Sequence, residues 1–220
     1  MRDTAGMKPS DERKQHTGHA IRVLGLTGGV GSGKSTILNH MRIKFGAAII
    51  VCDDVARQLQ QPGRACYEPM IELLGRGVVR EDGTFDRQKI AHMVFVDEQM
   101  RLGLNAIVHP AVKTEVMDQI EAAACAQAPF AVIEAALLLD DGYDQICDEV
   151  WYVYADREVR IRRLMSSRGY SREKCLAIMA SQKSEEFFRS HCAVTIDNSA
   201  DDVNNTFDIL DRQLAARGYI

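Results

Sequence analysis

Residues 28–36 read GGVGSGKST, and this stretch constrains the chain more than any other. Each glycine adds backbone freedom that folding must remove, so four glycines in six positions need a compensating task. The stretch meets the pattern GxxxxGK[ST] from Gly28 through Ser35. It follows the short apolar run Ile21–Leu26 and precedes Ser35–Phe45, whose apolar residues at 37, 38, 41 and 45 have helical spacing and end at Gly46. A strand, a glycine loop and a helix start form a phosphate cradle: the glycines let backbone N–H groups turn inward, and the helix start adds unpaired donors and a positive dipole end. Gly29, Val30, Gly31, Ser32, Gly33, Lys34, Ser35 and Thr36 are therefore expected to hold a nucleotide. Lys34 would reach the β- and γ-phosphates, and Ser35 Oγ would meet Mg²⁺.

The next apolar run, 47–52, closes a βαβ unit and implies parallel strands. Further short buried strands are expected at 130–134, 149–155 and 193–196, with Asp156, Ser171 and Asp201 opening the helices between and after them. Residues 64–126 instead read as successive helices near 67–74, 86–95, 97–107 and 111–124, the last opened by Pro110. The expected architecture is α/β: a three-layer P-loop kinase fold with a five-stranded parallel sheet and helices on both faces. Core segments 21–62 and 127–220 would flank a helical acceptor-binding insertion at about 64–126, with a helical lid at about 157–183.

Composition narrows the class. Of 220 residues 46% are hydrophobic, and the net charge is −4, which leaves no basic excess for gripping nucleic acid. No apolar run approaches the roughly 20 residues needed to cross a bilayer. Residues 1–20 are polar and read as a disordered leader. The six cysteines are dispersed without a CxxC pair, which suits reduced, mostly buried thiols and a cytoplasmic chain. No exposed apolar stripe indicates an oligomeric state.

Among nucleotide-binding classes, a GTPase switch should carry an NKxD-type element, and the sequence has none. The strand at 130–134 ends in Glu134, either a Walker B acid or a solvated strand-end carboxylate. A kinase acting on a small acceptor fits the helical insertion. Asp53 and Arg57 are four apart, so on a helix they share one face. Asp53 would take the proton of an attacking hydroxyl and Arg57 would bind an acceptor phosphate. The alternative is a solvated surface pair.

The ordered set GLTGGVGSGKS, DDVARQLQQPG, EDGTFDRQKIAHMVF, LNAIVHPAV, EAALLLDDGYD, RRLMSSRGYS and VTIDNSA resembles the dephospho-coenzyme A kinase family from about Ile21 to the last helix. The resemblance implies transfer of the γ-phosphoryl of ATP, with Mg²⁺, to the ribose 3′-hydroxyl of dephospho-coenzyme A. Another kinase of this architecture, or a non-catalytic nucleotide switch, is the alternative. The family's motif after strand two is similar to DxDxxxR; its second Asp and its Arg fall on Asp53 and Arg57, but Val51 stands in its first position. The resemblance places Arg163 in a phosphate-neutralising lid, with Arg168 nearby, although the run of arginines at 157–168 also suits a solvated helix face. It makes Asn198 a nucleotide contact or else a turn residue. It makes His109 an acceptor ligand or else a packing residue of the insertion, and Arg87 a structural salt-bridge residue.

Overall fold

A computed structural model describes residues 20–220; the leader read from the sequence lies outside them, apart from residue 20. The chain runs β1 (Val23–Thr27), α1 (Lys34–Phe45), β2 (Ala48–Val51), α2 (Cys52–Leu59), α3 (Tyr67–Leu74), α4 (Arg87–Val96) and α5 (Glu98–Cys125). It continues through β3 (Ala131–Glu134), β4 (Glu149–Tyr154), α6 (Arg157–Arg168), α7 (Arg172–Ala180), α8 (Glu185–His191), β5 (Val194–Asp197) and α9 (Val203–Ala216). All five strands are parallel, in the order β2-β3-β1-β4-β5, with Val23 facing Ala131 and Leu24 facing Glu149 in register.

The period-2 alternation of the strands builds two cores. Val23, Ile50, Ala131, Ile133 and Val150 point to one face, where they bury Val55 of α2, Met70 of α3 and Val116 of α5. Leu24, Leu26, Val132, Trp151 and Ile196 point to the other, against Ile37 and Met41 of α1 and Leu210 and Leu214 of α9. The expected doubly covered parallel sheet is what the chain forms. Its cradle sits at the carboxyl ends of the strands beside β1, the sheet's central strand.

Four local expectations are corrected. The segments 97–107 and 111–124 form one helix, α5, with Pro110 inside it rather than opening a second. A proline there removes a hydrogen bond and costs about 3 kcal/mol. The stripe Met100, Leu104, Val108, Val112, Val116, Ile120 crosses it unbroken, and burial of that stripe outweighs the loss. Asp202, not Asp201, caps α9, its side chain accepting from Asn204 N–H. Asp156 occupies the N-cap of α6, but its carboxylate accepts a hydrogen bond from Tyr154 O–H instead of capping. Ser171 does cap α7, accepting from Lys174 N–H. Arg87 forms no ion pair among the described residues; Arg80 holds Asp86 instead, at 3.7 Å. Among the described residues no helix is long and apolar enough to cross a membrane.

Candidate functional site

The loop between β1 and α1 opens into a cavity of about 780 Å³. Gly33 sits at the α1 N-cap with φ 93°, a left-handed conformation that glycine adopts without strain. A Cβ at that position would also collide with Asn198 Nδ2. No side chain caps the helix, and the amides of Gly31, Gly33, Lys34 and Ser35 have no acceptor among the described residues. They are free for an anion at the positive end of the α1 dipole. Ser32 Oγ is buried without a hydrogen-bond partner among the described residues, a further unspent polar group in the same loop.

Gly31 through Ser35 line the cavity as the sequence led us to expect. Thr36 does not; its side chain is exposed and its N–H bonds back to Gly33 C=O. Gly29 lies on the other side of the loop, lining a separate pocket of about 130 Å³ against Arg160. Lys34 Nζ donates to Gly28 C=O at 2.8 Å and lies 3.4 Å from Glu134 Oε1. Burial lowers the Lys34 pKa, and the Glu134 carboxylate pulls it back up. Burial likewise raises Glu134, against the pull of Lys34. Glu134 is thus the ammonium's partner on the cavity wall, which excludes the solvated strand-end alternative.

Strand β2 passes into α2 without a loop, so Asp53 falls in the helix's first turn, where the dipole favours an acid. Asp53 lines the same cavity as Lys34, and so does Arg57. The alternative of a solvated Asp53–Arg57 pair does not form: Arg57 bonds Asp54 at 2.7 Å, an i,i+3 pair that leaves the Asp53 carboxylate without an ion-pair partner among the described residues. Asp54 also lines the cavity. Val51 contributes an apolar side chain to the wall while packing toward the α1 side of the sheet.

Arg163 and Arg168 of α6 reach the cavity from the opposite side, Arg163 lying 3.5 Å from Ser32 C=O. Asn198, expected as a nucleotide contact or else a turn residue, does not line the cavity. It is 3% exposed, and its amide is spent at both ends, donating to Ser32 C=O and accepting from Thr206 O–H. It therefore braces the loop from behind. His109 faces an adjoining pocket of about 170 Å³ that shares Asp53 with the main cavity, and its Nδ1 stands 3.6 Å from Asp141.

Sequence reasoning did not single out other cavity residues, among them Gln119 of α5 and Gln182 between α7 and α8. Nor did it single out Arg160 from its arginine-rich helix. Its spacing of three from Arg163, which puts both on one helix face, was the available signal.

Loop amides, a buried lysine, an uncommitted carboxylate and opposing arginines around one cavity form a site able to hold a polyphosphate beside a hydroxyl acceptor. Comparison with known proteins gives the same chemistry a family. A dephospho-CoA kinase family model matches residues 22–204. The dephospho-CoA kinase of Symbiobacterium thermophilum is 42% identical over 74% of this chain and 68% of its own length. That of Geobacter sulfurreducens is 34% identical over 88% of this chain and 95% of its own. The solved structure of TT1252 from Thermus thermophilus superposes with a TM-score of 0.76 at 30% identity, covering 89% of this chain and 97% of that one. The chain belongs to the dephospho-CoA kinase family.

Proposed function

We propose that this chain transfers the γ-phosphoryl group of ATP to the ribose 3′-hydroxyl of dephospho-coenzyme A, giving coenzyme A and ADP, the last step of coenzyme A synthesis. The observation that carries this reading is that Asp53 and Lys34 line one cavity, the carboxylate free of its neighbouring arginine. All six cysteines are free thiols, which fits a reducing compartment, and we place the activity in the cytoplasm.

In this reading the amides of Gly31, Gly33, Lys34 and Ser35 and the Lys34 ammonium hold the β- and γ-phosphates. Asp53 accepts the proton of the attacking hydroxyl, and Arg57 orients the acceptor's own phosphates. His109 contacts the acceptor from the pocket that adjoins Asp53. Arg163 and Arg168, on the helical segment that would act as a lid, face the charge that spreads over the transferring group. Asn198 serves the nucleotide indirectly, by fixing Ser32. Catalysis is then positioning and electrostatics.

Among the described residues no group of three or more His, Cys, Asp or Glu side chains could enclose a metal ion. The oxygen donors on the cavity wall, Ser35, Asp53 and Glu134, fit Mg²⁺, which is commonly held by one or two protein oxygens together with substrate phosphates. Ser35, with its hydroxyl on the cavity wall, would hold it, aided by Glu134 or Asp53. Bound there, Mg²⁺ would neutralise phosphate charge.

Mass spectrometry after mixing the protein with Mg·ATP and dephospho-coenzyme A tests the assignment. Gain of one phosphate on the acceptor is expected, with no gain on nucleoside monophosphates or shikimate. Phosphorylation of another acceptor alone, or slow ATP hydrolysis indifferent to any acceptor, overturns it.

A further inference from the structure

Val30, at the tip of the phosphate-binding loop, uses neither of its backbone groups within the loop. Its N–H donates to Gln182 Oε1 at 3.2 Å, and its C=O accepts from Arg160 Nε at 2.8 Å. The triangle is closed by Arg160 Nη2, which donates to the same Gln182 oxygen at 2.7 Å. Arg160 comes from α6 and Gln182 from the connection between α7 and α8, so two separate elements meet on one peptide unit. The next residue, Lys183, ties that connection to Asp140 at 3.0 Å, on the loop after β3.

The approach of Arg160 also explains Gly29. A Cβ at 29 would overlap the Arg160 guanidinium, so the glycine makes room for the clamp on the side of the loop away from the phosphate cavity. Arg160 lines only the small rear pocket, whereas Gln182 lines both it and the main cavity. The guanidinium therefore stands behind the loop, and Gln182 forms the partition.

We infer that Arg160 and Gln182 are positioning residues that clamp the Val30 peptide and thereby aim the neighbouring amides of Gly31, Gly33, Lys34 and Ser35 at the transferring phosphate. The inference rests on the kinase reading above. The fork of arginine is essential: Nε and Nη2 bond the carbonyl and the glutamine oxygen together, whereas a lysine offers one nitrogen for both. Misplacement of a preorganised donor by a fraction of an ångström lowers turnover without abolishing ligand binding.

The test is a double-mutant cycle on the full chain, with Arg160→Ala, Gln182→Ala and the pair, measuring kcat and the KM for ATP. Each single variant is expected to lose about 10- to 100-fold in kcat, with the KM for ATP within about 3-fold. The double variant should be no slower than the slower single, because both act through one peptide. Multiplying losses, an unchanged kcat in either single, or an ATP KM raised tenfold in Arg160→Ala alone would overturn the clamp, the last by showing a direct nucleotide contact. Should Arg160→Ala fail to fold, Arg160→Lys keeps the charge, and the same loss of kcat is expected. Hydrogen exchange at the Val30 amide, read without nucleotide, separates this inference from the assigned reaction. Protection lost in both single variants supports the clamp even if the acceptor proves different, and protection kept in both refutes it.

Discussion

Lys34 Nζ stands 3.4 Å from Glu134 Oε1, a pair in which each side chain is about 15% exposed or less. Burial shifts both partners toward their neutral forms, and each charge restrains the other. Removing the cation leaves a largely buried carboxylate uncompensated. We expect Lys34→Ala to lower turnover by at least about 100-fold and to destabilise the fold by about 1 kcal/mol or more; a fully enclosed pair would lose about 3–5. A group whose folded pKa is raised contributes stability below its unfolded value and loses it as pH rises through the folded one. The thermal deficit of Lys34→Ala against the parent should therefore be larger at about pH 8 than at about pH 5. A deficit that does not change with pH would show that Glu134 gains nothing from Lys34.

Among the described residues Asp53 forms no ion pair, Arg57 being taken by Asp54. Asp53→Asn keeps the shape of the side chain and removes its capacity to accept a proton. Turnover with dephospho-coenzyme A should fall by about 100- to 10,000-fold, while the KM for ATP changes by less than about 3-fold. Near-normal turnover in a steady-state assay would remove Asp53 from the base role. Asp54→Asn, by contrast, frees Arg57 and should act on the acceptor KM.

The cradle was legible because its determinants are local. A glycine pattern, an apolar run and a helical period within one short stretch specify strand, loop and helix together. Pro110 was misread since the stripe that carries α5 through it is a tertiary fact, visible only once α2, α3 and α4 pack along that helix. Asp156 shows the same limit at shorter range, where Tyr154 O–H competes for the carboxylate that a cap would use. Asn198 could be placed at a strand end but not assigned, since its burial depends on Thr206 and Ser32 arriving from other elements. Arg160 and Gln182 are 22 residues apart and meet Val30 from some 130 and 152 residues away, separations no local pattern encodes.

Asp211 of α9 links the last helix to the phosphate-binding helix, accepting from Lys44 at 2.5 Å and sharing a 2.9 Å contact with His40 Nε2. Burial pushes its carboxyl up, but the hydrogen bonds and charges of Lys44 and His40 outweigh this and hold it below the usual range. A depressed folded pKa gives stability that is present above the unfolded value of about 4 and is lost as pH falls through the folded one. Asp211→Asn should therefore cost about 1 kcal/mol near neutral pH, and the difference from the parent should shrink below about pH 4. Denaturant titrations across that range check it, and a gap that widens in acid would contradict the sign.

Cysteine reactivity offers a probe of whether α2 holds Asp53 firmly. Cys52, one residue before Asp53, is buried, and burial raises its thiol pKa to about 12. Burial likewise raises Cys66, Cys147 and Cys192, the last to about 12, whereas Cys125 is exposed near the end of α5. The thiolate is the reactive form, so each unit of upward shift lowers its fraction about tenfold, and enclosure slows the reagent further. Iodoacetamide at about pH 8, followed by peptide mass spectrometry, should label Cys125 first and Cys52 at least about 100-fold more slowly. Were Cys52 to react as fast as Cys125, the first turn of α2 would be opening on the labelling timescale. A carboxylate on an opening turn could not hold a hydroxyl in line with a phosphate, and the Asp53 assignment would fail together with the packing beneath it.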